Sequence, residues 1–174
     1  FYYTPPTDFL ALCTSNLPDP AVIPSEHFNT VTYSGDANST QAVSGVGFQP
    51  DFLWIKRRNA ADNHQLVDVI RGASNTLFTN TTSAENTVSG QYVSSIDSDG
   101  FTTGSNGGVN HSSGTYVFWN WKANGAGVSN TNGTITSTVS ANADAGFSIG
   151  TYSGSGAVAT VGHGLSVAPE MLIV

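Results

Sequence analysis

The sequence predicts an all-β protein: an antiparallel β-sandwich of lectin or jelly-roll type, followed by the start of a second β unit. Three observations carry that expectation. Short stretches of alternating apolar and polar residues recur along the chain, each bounded by Gly, Asn or Ser. Ser, Thr, Asn and Gly number 21, 20, 15 and 19 among 174 residues, the mixture of β-branched strand residues and turn residues that such a fold needs. No window keeps a 3.6-residue apolar period for three turns; the best candidate, "AADNHQLVDVIRGA" (60–73), is interrupted by Gly72, which leaves room for one or two short helical turns.

Taken in order, residues 1–26 hold Pro5, Pro6, Pro18, Pro20 and Pro24. Each proline removes a backbone donor and fixes φ, so this stretch is expected to be an extended linker, its aromatic start the last strand of an upstream domain. From Phe28 the pattern turns β. "NTVTYSG" alternates, "AVSGVGFQPDFLWIK" is a strand bounded by Gly and Pro, and "HQLVDVIRG" is another. "NTLFTN", "QYVSSID", "GFTTGS", "TYVFWNWKA", "GTITSTVSA" and "GFSIGTYSG" follow. In "TYVFWNWKA", Tyr116, Phe118, Asn120 and Lys122 share one face, and Val117, Trp119 and Trp121 the other. The tryptophan face is expected to be core, because aromatic residues supply much of the buried area in a chain poor in Leu. A sugar platform is the competing reading of the same face.

The segment 28–55, "FNTVTYSGDANSTQAVSGVGFQPDFLWI", aligns without a gap on 147–174, "FSIGTYSGSGAVATVGHGLSVAPEMLIV". Phe28/Phe147, Thr32/Thr151, Tyr33/Tyr152, Ser34/Ser153, Gly35/Gly154, Gly45/Gly164, Pro50/Pro169 and Leu53/Leu172 are identical, and Asp51/Glu170 keeps its charge. Glycines and a proline held at one spacing imply one backbone path. The domain reading is therefore an upstream end and linker over 1–26, a first unit over 27–146, and the beginning of a second over 147–174. Both copies are expected to run strand, turn, strand, with "EMLIV" paired in a sheet as "DFLWI" is. The first residue is Phe and the last apolar run is uncapped, so the sequence is expected to be part of something longer.

Charge narrows the function. The formal net charge is −7 with five Lys and Arg, and only 10% of residues are charged against roughly 25% in ordinary globular proteins. Beyond Lys56-Arg57-Arg58 there is no basic stripe, so neither nucleic acid nor an anionic membrane is an expected partner. No run approaches the length of a transmembrane helix. The single cysteine, Cys13, makes no internal disulfide, and His27, His64, His111 and His163 lack metal-ligand spacing, so no metal or cofactor is assigned. "SIDSDGF" sets Asp97, Asp99 and Gly100 in the order of a calcium loop without its later ligands, and a turn is the preferred reading. Asp68, Glu85, Asp97 and Asp99 are the carboxylates a glycosidase would draw on, but no nucleophile elbow, Cys-His pair or phosphate loop accompanies them, and no catalytic residue is assigned. Asp68 and Arg71, opposite charges among apolar neighbours, are expected to form a structural ion pair. The N-x-[ST] sites at Asn38, Asn80, Asn110 and Asn132 carry little weight in so Asn- and Thr-rich a chain.

"GFQPDFLWIKRR", "LVDVIRGA", "SIDSDGFTTGS", "TYVFWNWKANG" and "GTITSTVSANADAGFSIGTYSGSG" together resemble an uncharacterised domain that recurs in virion proteins of marine tailed bacteriophages. "FYYTPPTDFLALCTSNLPDP" resembles the last strand of a SPRY-type sandwich and its linker. The resemblance implies a structural or adhesive, non-enzymatic part of the virion, of tail-fibre type, with other virion proteins and host surface glycans as partners. A trimer is the assembly expected from likeness to fibres alone. Alternatives are a carbohydrate-binding module of a secreted or surface adhesin, using Trp54, Trp119 and Trp121 for glycan contact, and a polysaccharide depolymerase.

Overall fold

The computed structural model describes residues 22–174 together with Thr4, Pro6 and Thr7. The linker and SPRY-like expectation for 1–26, and Cys13 with it, fall almost wholly outside the described residues.

Among the described residues eleven strands make up the fold: β1 (Phe28–Ser34), β2 (Gln41–Ser44), β3 (Phe52–Arg57), β4 (Gln65–Asp68), β5 (Leu77–Phe78), β6 (Val93–Asp97), β7 (Gly100–Thr103), β8 (Thr115–Trp121), β9 (Val128–Asn130), β10 (Ser137–Asn142) and β11 (Phe147–Tyr152). A 3-10 turn at Pro24–Glu26 leads in, and one helical turn, α1 (Gly107–Asn110), precedes β8. The chain is all-β, with every named strand pair antiparallel. The strands form a five-stranded sheet in the order β1-β8-β3-β4-β5, a second sheet β2-β7-β6, and a third β11-β10-β9. The helical pattern at 60–73 resolves into β4 and a turn, because Gln65–Asp68 pair with β3 and the first two of them, Gln65 and Leu66, also with β5.

The first two sheets face each other, sandwich-like. Val31 and Tyr33 on β1, Leu53 and Ile55 on β3, Val67 on β4 and Phe118 on β8 meet Val43 on β2, Phe101 on β7 and Val93 on β6 in one cluster. The inner aromatic rings interlock: Phe101 lies edge-on to Phe118 at 4.9 Å, and Tyr33 stacks on Tyr116 at 4.8 Å. Each phenol reaches a backbone carbonyl, Tyr33 donating to Val109 (2.8 Å) and Tyr116 to Gly107 (2.7 Å). Burial, with Tyr116 alongside, raises the Tyr33 pKa.

The alternation in β8 is as expected, but its sense is reversed. Tyr116, Phe118 and Asn120 are the buried set, and Trp119 and Trp121 lie half-buried on the outer face with Trp54. The expectation that the tryptophans form the core is therefore corrected. Strand periodicity separates two faces without saying which one meets the second sheet. Here the Tyr-Phe-Asn face is the buried one, with Phe118 against Phe101 of the second sheet and Asn120 donating to the Asn29 carbonyl of neighbouring β1 at 3.1 Å.

The repeat is followed only in part. β1 and β11 occupy aligned positions, and Gly45 and Gly164 both take left-handed backbone (φ 97° and 75°), which disfavours a side chain at either. The copies then diverge. β3 sits between β8 and β4, whereas Met171, Leu172, Ile173 and Val174 form no strand and are 63–102% exposed. Among the described residues no strand pairs with these four, and extended backbone without a ladder partner has nothing to hold it.

Two buried acidic residues lock strand ends and turns of the five-stranded sheet. Asp51, 3% exposed, accepts through Oδ2 from the amides of Ala123 (2.8 Å) and Gly125 (3.1 Å), and through Oδ1 from Gln49 Nε2 (3.3 Å). Asp68, also 3% exposed, pairs with Arg71 Nε at 2.7 Å and caps the amides of Ile70 (3.0 Å) and Arg71 (2.9 Å). Arg71 also meets Glu85 at 2.7 Å and the Leu66 carbonyl at 3.2 Å, so one guanidinium ties β4 to the 75–86 loop. Asp51→Ala leaves two backbone amides without an acceptor and is expected to destabilise the fold by about 3 kcal/mol in chemical denaturation, with Asp51→Asn losing about half of that. Arg71→Ala, which strands a buried carboxylate, is expected to lose about 3 kcal/mol. Losses under about 1 kcal/mol would show that these side chains are not the locks described.

Candidate functional site

The outer face of the five-stranded sheet concentrates the exposed aromatic chemistry. Register places Phe28, Trp121, Phe52 and Asp68 in one row across the strands, and Thr30, Trp119, Trp54, Leu66 and Leu77 in the next. The first row is covered by the third sheet: Phe147 of β11 stacks on Trp121 at 5.9 Å and 20°, and meets Phe52 edge-on at 5.8 Å. The second row meets no aromatic ring of the third sheet among the described residues. Trp54 and Trp119 are half-buried, 6.1 Å apart and inclined at 73°, next to the exposed Thr30 and Thr32. The rings are brought together but are not coplanar. They offer one ring face and one edge instead of a flat platform.

Trp54 is fixed by its own polar handle. Its Nε1–H donates to His64 Nδ1 at 3.0 Å, and His64 is in turn held by its amide on Asn80 Oδ1 at 3.0 Å. Nδ1 accepts only in a ring that is not protonated there, so a neutral His64 is built into the geometry. Partial burial, and then the positive charge of Lys56, lower the His64 pKa below its ordinary 6.5.

The remaining acidic candidates hold turns. Asp99 accepts from the amides of Gly45 (3.1 Å) and Gly47 (2.6 Å), which lowers its pKa, and so clamps the β2–β3 turn to the β6–β7 turn. Asp97 accepts from the hydroxyls of Ser95 and Thr102, both at 2.8 Å. Both carboxylates thus face hydrogen-bond donors. Glu85 and Asp68 share Arg71, an ion-paired trio rather than two carboxylates set across a cleft. Among the described residues no group of three His, Cys, Asp or Glu side chains gathers as a metal site. Asn110 is buried and bonded to Asp36 and Asn38, so it holds a loop.

One feature is not legible in the sequence, a groove lined by the "VSNTNG" and "VGHGL" segments beside the third sheet. The Asn-rich loop was the available signal, and it looked like any other turn.

The chain belongs to the family described as Domain of unknown function (DUF7483), whose model matches residues 23–174 and so spans all three sheets. No curated protein and no solved structure matches it.

The Trp54–His64 bond makes the aromatic face pH-dependent. A lowered folded pKa means that the contribution of neutral His64 is complete above pH 6.5 and lost as the pH falls through the folded value. Acidification from pH 8 to 4 should therefore change tryptophan fluorescence with a midpoint below 6.5, and Trp54→Phe should remove most of that change. A midpoint above 6.5, or a transition untouched by Trp54→Phe, would contradict the assignment.

Proposed function

We propose that this chain is a structural and adhesive module of a tailed-bacteriophage virion, carried on a tail fibre or similar appendage. Its partners are other virion proteins, copies of itself, and glycans of the host surface. The observation that carries this reading is the division of labour among side chains. Asp51, Asp68, Asp99 and Arg71 are engaged in holding backbone and one another. The half-buried Trp54–Trp119 pair of the outer face is left as the aromatic chemistry presented outward. The motif resemblance, the charge-poor hydroxyl and amide composition, and the internal repeat support the same reading. Weak contacts summed over copies raise avidity by roughly 10²–10⁴ without any new contact.

A carbohydrate-binding module of a secreted or surface adhesin is the second reading. It is favoured by the half-exposed indoles beside the Thr30 and Thr32 hydroxyls, since a sugar ring offers an apolar face to stack and hydroxyls to bond. It differs from the first in the particle that carries the module.

The test is incubation of the purified protein with bacterial envelope polysaccharide, followed by co-sedimentation and sizing of the glycan. Binding without shortening is the expected result, and Trp119→Ala should weaken it by about tenfold. Shortened chains would overturn the reading in favour of a depolymerase, and no binding would leave a pure scaffold.

A further inference from the structure

The groove beside the third sheet plays no part in the aromatic-face contact. Its walls are residues 128–132, running through β9 into the following loop, and residues 160–165. They are tied together by a parallel bridge between Ile135 and Val161 and by Thr134 and Ile135 amides donating to the Thr160 carbonyl, at 3.0 and 3.1 Å. Two depressions of about 390 and 400 Å³ adjoin there, sharing Asn132 and Gly164. Gly162 lets the walls approach, since a Cβ there would lie 2.3 Å from the Asn132 carbonyl oxygen and 2.5 Å from Asn130 Oδ1.

The lining is chemically specific. It contains no Asp, Glu, Lys or Arg, so an ionic ligand finds no counter-charge, and no aromatic ring apart from the His163 imidazole. It combines amides and hydroxyls with the aliphatic side chains of Val128, Val139, Ala141, Val161 and Leu165. Two of its side chains are oriented by the fold. Asn130, 9% exposed, accepts the Asn132 amide on Oδ1 at 2.8 Å, which leaves its NH₂ as donor. His163 Nδ1 accepts the Leu165 amide at 3.1 Å, so in the neutral ring the proton sits on Nε2.

His163 is also the residue that the repeat does not call for. Its counterpart is Ser44, and the first copy's turn is clamped by Asp99 on Gly45 and Gly47. In the second copy His163 holds the turn from within and its carbonyl accepts from Ser148 Oγ. Donors, aliphatic patches and absent charge together suit a neutral polyhydroxylated ligand, whose rings offer hydroxyls to bond and C–H faces to pack.

We propose that this groove binds a neutral saccharide segment, as a glycan contact separate from the tryptophan face. The proposal rests on the adhesive reading only in taking glycan as the partner. The test is titration of the ¹⁵N-labelled protein with maltohexaose, cellohexaose and the N-acetylglucosamine hexamer, following amide and indole signals. At least one sugar should shift Asn132, Gly133, Gly162 and Gly164 in a saturable way. Val128→Arg places a long charged side chain across the rim from a 63% exposed position and should weaken that binding by at least about tenfold. Asn132→Ala, which keeps its backbone hydrogen bond to Asn130, should weaken it by about three- to tenfold. Spectra of both variants should otherwise superpose on the parent. Silence at these amides with all three sugars, or affinity unchanged in Val128→Arg, overturns the proposal. Shifts confined to the tryptophan indoles also overturn it while leaving the adhesive reading in place, whereas groove shifts without indole shifts support it and move the glycan contact away from the tryptophans.

Discussion

The buried carboxylate of Asp51 is the constraint on which the rest of the structure depends. Its backbone amide donates to the Trp121 carbonyl at 2.9 Å, its carbonyl accepts from Val69 at 3.0 Å, and its side chain receives Ala123 and Gly125. One residue therefore fixes where β3 begins, where β8 ends and where the chain leaves β4. The chain departing from β8 then continues toward β9 and β10, with Asn124 donating to Ser140 Oγ at 2.9 Å. A buried acceptor with two directed amide donors is intolerant of displacement, because each donor it loses goes unpaired away from water. The position of the third sheet against the sandwich follows from that rigidity.

That placement decides how much of the aromatic face is open. Phe147 reaches Trp121 because β11 is carried there by β10, and β10 is joined to the 122–124 exit by Asn142 and Ser140. Asn142 also meets His27 at 2.8 Å, closing the same corner from the entry to β1. An apolar row that would otherwise lie open is half covered by the chain itself, and the Trp54–Trp119 row remains. On a surface with few charges, what stays open is a matter of packing more than of electrostatics.

The two copies of the repeat show how one sequence pattern takes two fates. The left-handed glycine is a local requirement, met at both Gly45 and Gly164 whatever surrounds them. The strand after it is not local. Leu53 and Ile55 are fully buried because β8 and β4 flank them and the second sheet lies beneath, while Leu172 and Val174, in the equivalent positions, pair with no strand among the described residues and are exposed. Similar residues are core in one copy and exposed in the other.

The fold class was legible from residue order alone, since alternation, turn chemistry and the absence of a helical period are properties of neighbours along the chain. So were the two faces of β8 and the union of Asp68 with Arg71, three residues apart. The sequence could not say which face of β8 would be inside. That depended on what packs beneath: the second sheet took Phe118, Tyr33 and the α1 turn took Tyr116, and the tryptophans were left outward. Nor could it show that Asp99 would clamp a turn 52 residues away, or that Asn130 and His163 would line one groove. Strand order and loop closure bring such residues together, and those are decided by which buried surfaces and backbone donors can be satisfied at once, a condition on the whole structure that no single stretch of the chain contains.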